Sequence, residues 1–433
     1  AEKALAQTLL DTFRDAKEYG SILHVPLSLA DIRRLADRTA ALQSGQHDTL
    51  LSMADNAQAA AAVQPLLAQA QILARQYDAV ITNPPYMNKF APNLKRYIQD
   101  NYTDYKADLF SVFMHRNFDF CKPNGYSAFM TPFVWMFIKS YEKLRQEIIQ
   151  TKCINTLIQL EYSAFEEATV PICTFVLRNS ALNYKGNYLR LSDFKGGMDV
   201  QNEMVLKAQE DPACKYRYTA QQDNFSKIPG APVAYWVSEK TASIFTGESI
   251  GSYAIAVKGL DTCDNERFVR QWQEVSISSI GFNIEDASST YMHKWYPYTK
   301  GGGFRRWYGF YEMVVNWYSD GKDLKNLRTP NGKIKSRPQN TRFYFKSGLT
   351  WSSITSYKLS MRYMENSIFG GGGSAMFCEK NELFTLGILN SAVGNYFLSI
   401  LNPTINFLVN DILSIPTVGT CKSAEKINGL VKQ

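Results

Sequence analysis

The alternation of short apolar runs with helical segments between residues 77 and 177 constrains the fold more than any other feature of this sequence. Strands that alternate with helices are typical of a doubly wound α/β sheet. The last two runs are separated by a loop too short for a crossover helix, so they should pair antiparallel as a hairpin. The pattern predicts strands over 77–82, 125–131, 153–160 and 172–177, with helices near 108–121 and 140–150. Asp108 opens the first of these helices and can cap it.

The first of these strands ends in the tetrapeptide Asn83-Pro84-Pro85-Tyr86. An α/β sheet binds its ligands beyond the carboxyl ends of its strands, which is where this tetrapeptide emerges. The lone pair of an exocyclic amine such as adenine N6 is delocalised into the ring, so methylation needs acceptors that draw the nitrogen toward tetrahedral geometry. Asn83 Oδ1 and the Pro84 carbonyl can accept its two N–H groups, and Pro85 holds Pro84 extended. The tetrapeptide therefore predicts amine methylation, with Tyr86 stacked on the base, whereas the alternative is a simple strand-ending turn.

Positive charge is concentrated in the second half of the chain. The net charge is only +7, yet residues 294–362 hold fourteen Lys and Arg residues against three acids. Aromatic residues are interleaved with these cations, a mixture suited to phosphate contacts and base stacking. A solvated basic face over an aromatic core is the alternative. The candidate DNA-binding residues are Lys294, Lys300, Arg305, Arg306, Lys333, Lys335, Arg337 and Arg342.

Cysteine and histidine usage favours neither a metal site nor a disulfide framework. The seven cysteines occur singly, with no Cys-x-x-Cys pair and no histidine at ligand spacing. No apolar stretch reaches the length of about 18 residues that a membrane span requires, and no basic-then-apolar leader follows Ala1. We therefore expect reduced thiols, no bound metal and a cytoplasmic location.

The strand–helix rhythm ends near residue 190, where aromatic, glycine-rich and asparagine-rich segments with short strands begin. This change predicts two domains, over residues 1–190 and 191–433. The expected fold class is α/β: a partial Rossmann-like sheet with a helical lead-in, followed by a mixed α+β domain. Glycine runs at 301–303 and 370–373 are expected to be flexible turns; a permuted cofactor loop at 370–373 is the alternative.

Several longer motifs resemble the PglX family, the adenine-specific DNA methyltransferases of BREX phage-exclusion systems. The similar segments span nearly the whole chain and are more specific than the tetrapeptide. They include residues 16–21, 224–230, 235–236, 259–262, 264–268, 294–298, 307–309 and 402–407. The resemblance implies S-adenosylmethionine as methyl donor, double-stranded DNA as substrate, N6-methyladenine as product and a role in bacterial antiviral defence. It also implies other BREX proteins as partners.

The resemblance further implies roles for individual residues. In such enzymes the hairpin between the last two strands carries an aromatic residue that clamps the extruded base, and Phe165 occupies that position here. The alternative is that Phe165 packs on its own domain. The helix after the motif loop borders the cofactor adenine, so Leu109 and Phe113 are candidate cofactor contacts beside Asn83 and Pro85. Ordinary core packing is the alternative for Leu109 and Phe113. The second domain, residues 191–433, would then be the target-recognition domain.

One departure from the family pattern concerns the cofactor. Such enzymes carry a glycine-rich loop upstream of the catalytic tetrapeptide, whereas residues 1–82 contain no Gly-x-Gly. We therefore expect a fragment, inactive alone, that lacks the N-terminal part of a parent chain with the S-adenosylmethionine motif. A non-catalytic DNA-binding specificity module of a restriction-modification-like system is the alternative function. Methylation of a protein glutamine or of RNA is a third.

Overall fold

The computed structural model describes residues 2–44, 50–162, 170–284, 289–355, 358–404, 406–417 and 424–433. The chain divides into two compact units. The first comprises Ala1–Ser226 with Gly230–Trp236, and the second Lys227–Pro229 with Val237–Gln433. The first unit extends well past residue 190, so the predicted domain boundary does not coincide with the division between the compact units.

The first unit begins with a helical layer, made of helices α1 (Glu2–Phe13), α2 (Ala16–Tyr19), α3 (Leu29–Gln43) and α4 (Leu50–Ala74). Ser28 caps α3 by accepting a hydrogen bond from the Asp31 N–H at 3.1 Å, which satisfies one of the free donors of the first turn. Apolar side chains of α1, α3 and α4 meet those of residues 23–27, which precede α3, in a core of their own. That core contains Leu9, Phe13, Leu23, Val25, Leu27, Ile32, Leu35, Leu67 and Ala70.

A six-stranded mixed sheet follows, with α-helices between its strands. The strand order is β1-β2-β4-β3-β5-β6. Pairing is parallel for β1 with β2 and for β3 with β5, and antiparallel for the other neighbours. The strands are β1 (Tyr77–Thr82), β2 (Cys121–Pro132), β3 (Cys153–Tyr162), β4 (Pro171–Arg178), β5 (Lys185–Arg190) and β6 (Arg217–Gln221). The helices are α5 (Pro92–Asn101), α6 (Leu109–Phe120), α7 (Glu142–Thr151) and α8 (Gly197–Glu210).

The predicted strands are all present, and β3 and β4 form the expected antiparallel pair. The predicted boundary at residue 190 falls at the end of β5. Beyond it, β6 pairs with β5 and β5 pairs with β3, so the chain as far as Gln221 still belongs to the first sheet. These two short strands lack long β-branched runs, so their sequence resembles the irregular segments that follow.

A second core of the first unit lies between the sheet and helices α6 and α7. Phe129 on β2 stacks on Phe175 on β4 with ring centroids 5.1 Å apart, a cross-strand aromatic pair that links neighbouring strands. Trp135, fully buried just after β2, packs against the same Phe175 ring at 4.9 Å. The turn after β2 is therefore part of the core rather than a surface loop.

Arg145 on α7 fixes that turn. Its Nη1 donates to the carbonyls of Trp135 and Ile138, both at 2.7 Å, and its Nε and Nη2 donate to the Gly230 carbonyl at 2.9 and 2.7 Å. The side chain is buried, and this burial lowers the pKa of Arg145 to about 10. Carbonyl oxygens thus replace the water molecules that the guanidinium loses on burial.

The second unit contains two four-stranded sheets, in the orders β13-β9-β10-β8 and β12-β11-β14-β7. The strands are β7 (Ala254–Val257), β8 (Val269–Gln271), β9 (Trp295–Thr299), β10 (Met313–Asn316), β11 (Gly348–Trp351), β12 (Met361–Met364), β13 (Ile368–Phe369) and β14 (Ala375–Cys378). The helices are α9 (Glu239–Ile244), α10 (Asn265–Phe268), α11 (Tyr318–Lys325), α12 (Glu382–Asn390), α13 (Ala392–Leu401), α14 (Val409–Leu413) and α15 (Ala424–Lys432). This mixed α and β composition agrees with the sequence prediction for the second domain.

The glycine run at 370–373 is tightly packed, so the expected flexible turn is wrong. A Cβ on Gly371 would lie 2.1 Å from Asp261 Oδ1, and one on Gly373 would lie 2.5 Å from the Thr299 carbonyl oxygen. Both distances are far below van der Waals contact. Glycine is needed at these two positions because the Asp261 carboxylate and the Thr299 backbone approach more closely than a Cβ permits.

Among the described residues, no single helix has the length and apolar composition needed to span a membrane. Helices α12 and α13 meet that criterion only as a pair, and they are bent by 74° relative to each other. Phe384, Leu389 and Leu398 on these helices are buried within the unit.

We expect Arg145→Met to lower the free energy of unfolding of the first unit by about 2–4 kcal/mol, because three buried carbonyls lose their donor. Urea unfolding followed by circular dichroism measures this. Lys143→Met is the matched control, since Lys143 is exposed on the same helix, and its effect should stay within about 0.5 kcal/mol. Equal losses for the two variants would show that Arg145 contributes no more than a surface cation.

Candidate active site

Strand β1 carries the tetrapeptide to the edge of the sheet. It runs parallel to β2, with Thr82 opposite Phe129, so Asn83 emerges beside the last residues of β2. Asn83 is exposed, whereas Pro84 is buried and Pro85 is exposed. The buried Pro84 anchors the loop, while the amide side chain of Asn83 remains accessible to a ligand.

Tyr86 fixes the orientation of the Asn83 amide. Its phenol oxygen lies within hydrogen-bond distance of two acceptors, Asn83 Oδ1 at 3.1 Å and the Met130 carbonyl oxygen at 3.0 Å, and its O–H can donate to either. Burial raises the pKa of Tyr86 to about 12, so the phenol remains a donor at neutral pH. Because an amide oxygen has two lone pairs, Asn83 Oδ1 keeps the capacity to accept a second hydrogen bond.

The ring of Tyr86 is supported from one side by the core. Phe110 on α6 meets it edge to face, with centroids 6.3 Å apart and planes at 88°. Tyr86 remains 36% exposed, so part of its surface is open to solvent. An aromatic ring that is held by the core and partly open is a suitable stacking surface for a planar ligand.

Asp108 holds the other end of the motif loop. Its Oδ1 accepts from the Met87 N–H at 2.9 Å and from the Phe110 N–H at 3.2 Å, and the Leu109 N–H donates to the Met87 carbonyl at 2.8 Å. One buried carboxylate therefore caps α6 and secures the residue that follows Tyr86. Burial raises the pKa of Asp108, while the backbone N–H donors act in the opposite direction.

The structure places the remaining predicted site residues of the first unit in different surroundings. Leu109 is 6% exposed and Phe113 is partly buried, and both pack in a core with Ile22 and Tyr102. Phe165 lies outside the described residues, as does its hairpin turn. The structure thus brings together Asn83–Tyr86 and Asp108, and it places Leu109 behind them as a packing residue.

Sequence reasoning missed two backbone groups at this site. The Met130 carbonyl on β2 and the Met87 N–H each bond a side chain of the site. Every residue type except proline has the same backbone donor and acceptor, so the sequence does not mark these groups. The role of the Met130 carbonyl follows only from the register of β1 against β2. Asp108 was expected as a helix cap, and its second bond, to the motif loop, depends on the path of residues 87–108.

The eight predicted DNA-binding residues all lie in the second unit, where six are exposed and Lys300 and Arg306 are partly buried. Lys335 lies 3.9 Å from Asp264, which partly neutralises it. Several cations lie over aromatic rings: Lys294 over Trp295, Arg305 over Phe310, Arg306 over Phe304 and Arg342 over Phe343. At these positions, cations and aromatic residues that are interleaved in the sequence therefore also contact each other in the structure.

Comparisons with known proteins bear on this geometry. Residues 27–165 match the Eco57I restriction-modification methylase family. The chain is 33% identical over 421 residues to the adenine-specific methyltransferase PglX of Lacticaseibacillus casei, covering 94% of this chain and 35% of that protein. It is 34% identical over 432 residues to the adenine-specific methyltransferase BrxX of Escherichia coli O9:H4, covering 96% and 34%. The chain thus spans about one third of the length of these curated relatives.

A solved structure shows a similar fold. The type IIL restriction-modification enzyme MmeI, solved in complex with DNA, aligns with a TM-score of 0.52 at 10% identity. The alignment covers 82% of this chain and 48% of that one. The resemblance inferred from the sequence motifs is confirmed by the sequence comparisons. Along nearly all of its length, the chain is homologous to one part of the adenine-specific methyltransferases PglX and BrxX.

Proposed function

We propose that the chain is part of a site-specific DNA adenine N6-methyltransferase that uses S-adenosylmethionine in a bacterial phage-defence system. The observation that carries this proposal is the accessible Asn83 amide at the end of β1, oriented by Tyr86 and backed by a loop that Asp108 secures. The homology to PglX and BrxX supports the choice of adenine and of DNA.

In the proposed reaction, this chain activates and positions the amine. Asn83 Oδ1 and the Pro84 carbonyl accept the two N–H groups of adenine N6, which favours the tetrahedral nitrogen that attacks the methyl group. The attacking group is neutral, so its surplus proton leaves after transfer and no general base is required beforehand. Tyr86 stacks on the extruded base, a contact worth about 1–3 kcal/mol. Phe165 is proposed for the opposite face.

The residues of this chain form one side of a site for the methyl donor. S-adenosylmethionine, when bound, supplies an electrophilic sulfonium methyl group. Asn83 and Pro85 are exposed and can line its site, whereas Leu109 supports that wall from the core. Gly20 is the only glycine among the described residues that precede β1, so they offer no glycine-rich loop. The principal donor contacts therefore have to come from the rest of the complete protein.

The free edge of β1 is a suitable place for that missing part. Among the described strands only β2 pairs with β1, and Ile81 on β1 is 81% exposed. An unpaired edge with an exposed apolar side chain is a template for another strand. We propose that an N-terminal part of the parent chain pairs here and completes a Rossmann-like sheet.

The second unit is proposed as the target-recognition domain. Exposed cations at Lys294, Arg305, Lys333, Arg337 and Arg342 can neutralise phosphates, and phosphate contacts supply most of the non-specific affinity for DNA. Other proteins of the BREX system are proposed partners of the complete enzyme. The favoured alternative is a DNA-binding specificity module without catalysis. That alternative requires the complete, unsubstituted protein to transfer no methyl group to DNA.

We expect Asn83→Ala in the complete protein to lower the rate of adenine methylation by about 10²- to 10³-fold, as loss of one transition-state acceptor implies. Duplex binding should change little. Methyl transfer to DNA and N6-methyladenine in host DNA are the two measurements. Asn88→Ala is the matched control, because Asn88 is an exposed amide in the same loop. Unchanged N6-methyladenine in the Asn83→Ala host would refute the assignment.

Asp108 should stabilise the motif loop through its hydrogen bonds rather than its charge. Asp108→Ala removes the cap and the bond to Met87, so unfolding should cost about 1–2 kcal/mol less. Because burial raises the pKa of Asp108, the native state binds the proton more tightly than the unfolded chain, and stability contributed by the protonated form is lost as pH rises. Asp108→Asn keeps an acceptor oxygen and stays neutral, so it should be more stable than the original protein at pH 7 and lose this pH dependence. Urea unfolding at pH 4 and pH 7 checks both expectations.

The exposed cations of the second unit should bind DNA through its phosphates. Lys333→Ala with Arg342→Ala should weaken binding to any duplex and reduce the slope of log K against log salt by about 2, one unit per lost contact. Lys143→Ala with Lys185→Ala removes two exposed cations from the first unit and serves as the control. Salt titrations by fluorescence anisotropy measure the slopes. Equal slopes for both pairs would remove the basis for assigning DNA binding to this surface.

A further inference from the structure

Residues 301–311, here termed the aromatic loop, join β9 to β10 in the second unit and read Gly-Gly-Gly-Phe-Arg-Arg-Trp-Tyr-Gly-Phe-Tyr. Three large aromatic side chains in this loop are exposed: Phe304 by 44%, Trp307 by 44% and Tyr308 by 55%. Exposed aromatic side chains that lie close together often mark a surface that binds a partner. The loop is therefore a candidate binding element.

The backbone of the aromatic loop is strained. Trp307 has φ of 74° and Phe310 has φ of 66°, in the left-handed region that side-chain-bearing residues rarely occupy. Gly309 between them has φ of 110°, which suits glycine. Strain of this kind persists only where the surrounding structure enforces it, and it is concentrated at functional sites.

Two sets of contacts enforce the strained conformation. The Trp307 N–H donates to the Met361 carbonyl at 2.9 Å, and the Trp307 carbonyl accepts from the Tyr363 N–H at 2.7 Å, so the loop pairs with β12. Below it, the Phe310 ring lies 4.9 Å from the Arg362 guanidinium and 5.2 Å from that of Arg305. The backbone of Trp307 is thus fixed while its indole ring projects into solvent.

Arg362 holds the base of the loop. It is 1% exposed and donates to the Arg305 carbonyl at 3.3 Å and to Ser352 Oγ at 3.4 Å. Among the described residues no carboxylate forms an ion pair with it. The buried guanidinium therefore adds a positive charge beneath a loop that already carries Arg305 and Arg306, whereas the Glu365 carboxylate accepts from the Tyr308 phenol of the same loop at 3.4 Å.

Charge and shape together indicate the ligand. The loop contains two arginines and no acidic residue, and the Arg306 guanidinium lies 5.2 Å from the centre of the Phe304 ring. A polyanion whose backbone is flanked by flat apolar faces satisfies both features, and nucleic acid has that chemistry. A rigid indole has little conformational freedom to lose on contact, which suits insertion between stacked bases.

We infer that the aromatic loop is a wedge that opens one base step of the duplex, with Trp307 inserted between bases and Arg305 and Arg306 on the flanking phosphates. This inference rests on the proposed function, because it takes duplex DNA as the ligand. It assigns to the second unit a deformation of DNA that is separate from extrusion of the target adenine at Asn83–Tyr86. A wedge also makes recognition depend on how easily a base step unstacks.

The experiment measures binding of the complete protein to paired duplexes that differ only by a central single-base mismatch. Unstacking is easier at the mismatch, so the unsubstituted protein should bind the mismatched duplex about 3- to 10-fold tighter. Trp307→Ala should lose this preference and bind the intact duplex about 10-fold more weakly. Trp272→Ala is the matched control, since Trp272 is 49% exposed in the same unit, and should keep both properties.

A second variant separates the wedge from misfolding. Trp307→Gly places glycine at a positive φ, where alanine is strained, so it should melt at a higher temperature than Trp307→Ala while losing the mismatch preference to the same extent. Retention of the preference by Trp307→Gly and Trp307→Ala would overturn the wedge. So would weaker binding of single-stranded RNA by these variants with duplex binding unchanged.

A third variant separates the wedge from base extrusion, which also favours a weakened duplex. Tyr86→Ala should keep the preference for the mismatch if Trp307 is its source. Loss of the preference in Tyr86→Ala together with its retention in Trp307→Ala would assign it to extrusion and refute the wedge. If the unsubstituted protein binds no duplex at all, the proposed function itself fails, and this outcome is distinct from a selective failure of Trp307.

Discussion

The parallel pairing of β1 with β2 is the constraint on which the candidate site depends. It sets Thr82 opposite Phe129, and this register brings the Met130 carbonyl within reach of the Tyr86 phenol. Tyr86 then orients Asn83, and Asp108 secures the loop behind them. A shift of one residue in the register would turn every side chain of β1 to the other face of the sheet and separate these groups.

Both units use a buried arginine to hold an irregular segment beside a sheet. Arg145 binds the carbonyls of Trp135, Ile138 and Gly230, and Arg362 binds the Arg305 carbonyl and Ser352. In each case, uncharged oxygen acceptors solvate the guanidinium. A planar group with five donors is well suited to this task because it can join several strands of backbone at once. The turn held by Arg145 is part of the core, whereas the aromatic loop held by Arg362 presents aromatic rings to solvent.

The sequence predicted the parts of the fold that depend on local pattern. The strands from β1 to β4, the hairpin of β3 and β4, and the cap at Asp108 follow from apolar runs, loop length and residue type. Contacts between distant segments were not predictable in this way. The membership of β5 and β6 in the first sheet, the tight packing of Gly371 against Asp261, and the strained backbone at Trp307 all depend on tertiary neighbours.

The position of β1 at the margin of its sheet has a consequence for regulation. A strand with hydrogen bonds on one side only opens more readily than an interior strand, so the segment bearing Asn83 belongs to the less protected part of the unit. Adding a neighbour would raise that local stability and order the amide in the same step. Pairing of a further strand with β1 and ordering of the Asn83 amide are then linked thermodynamically. Each makes the other more favourable by the same free energy.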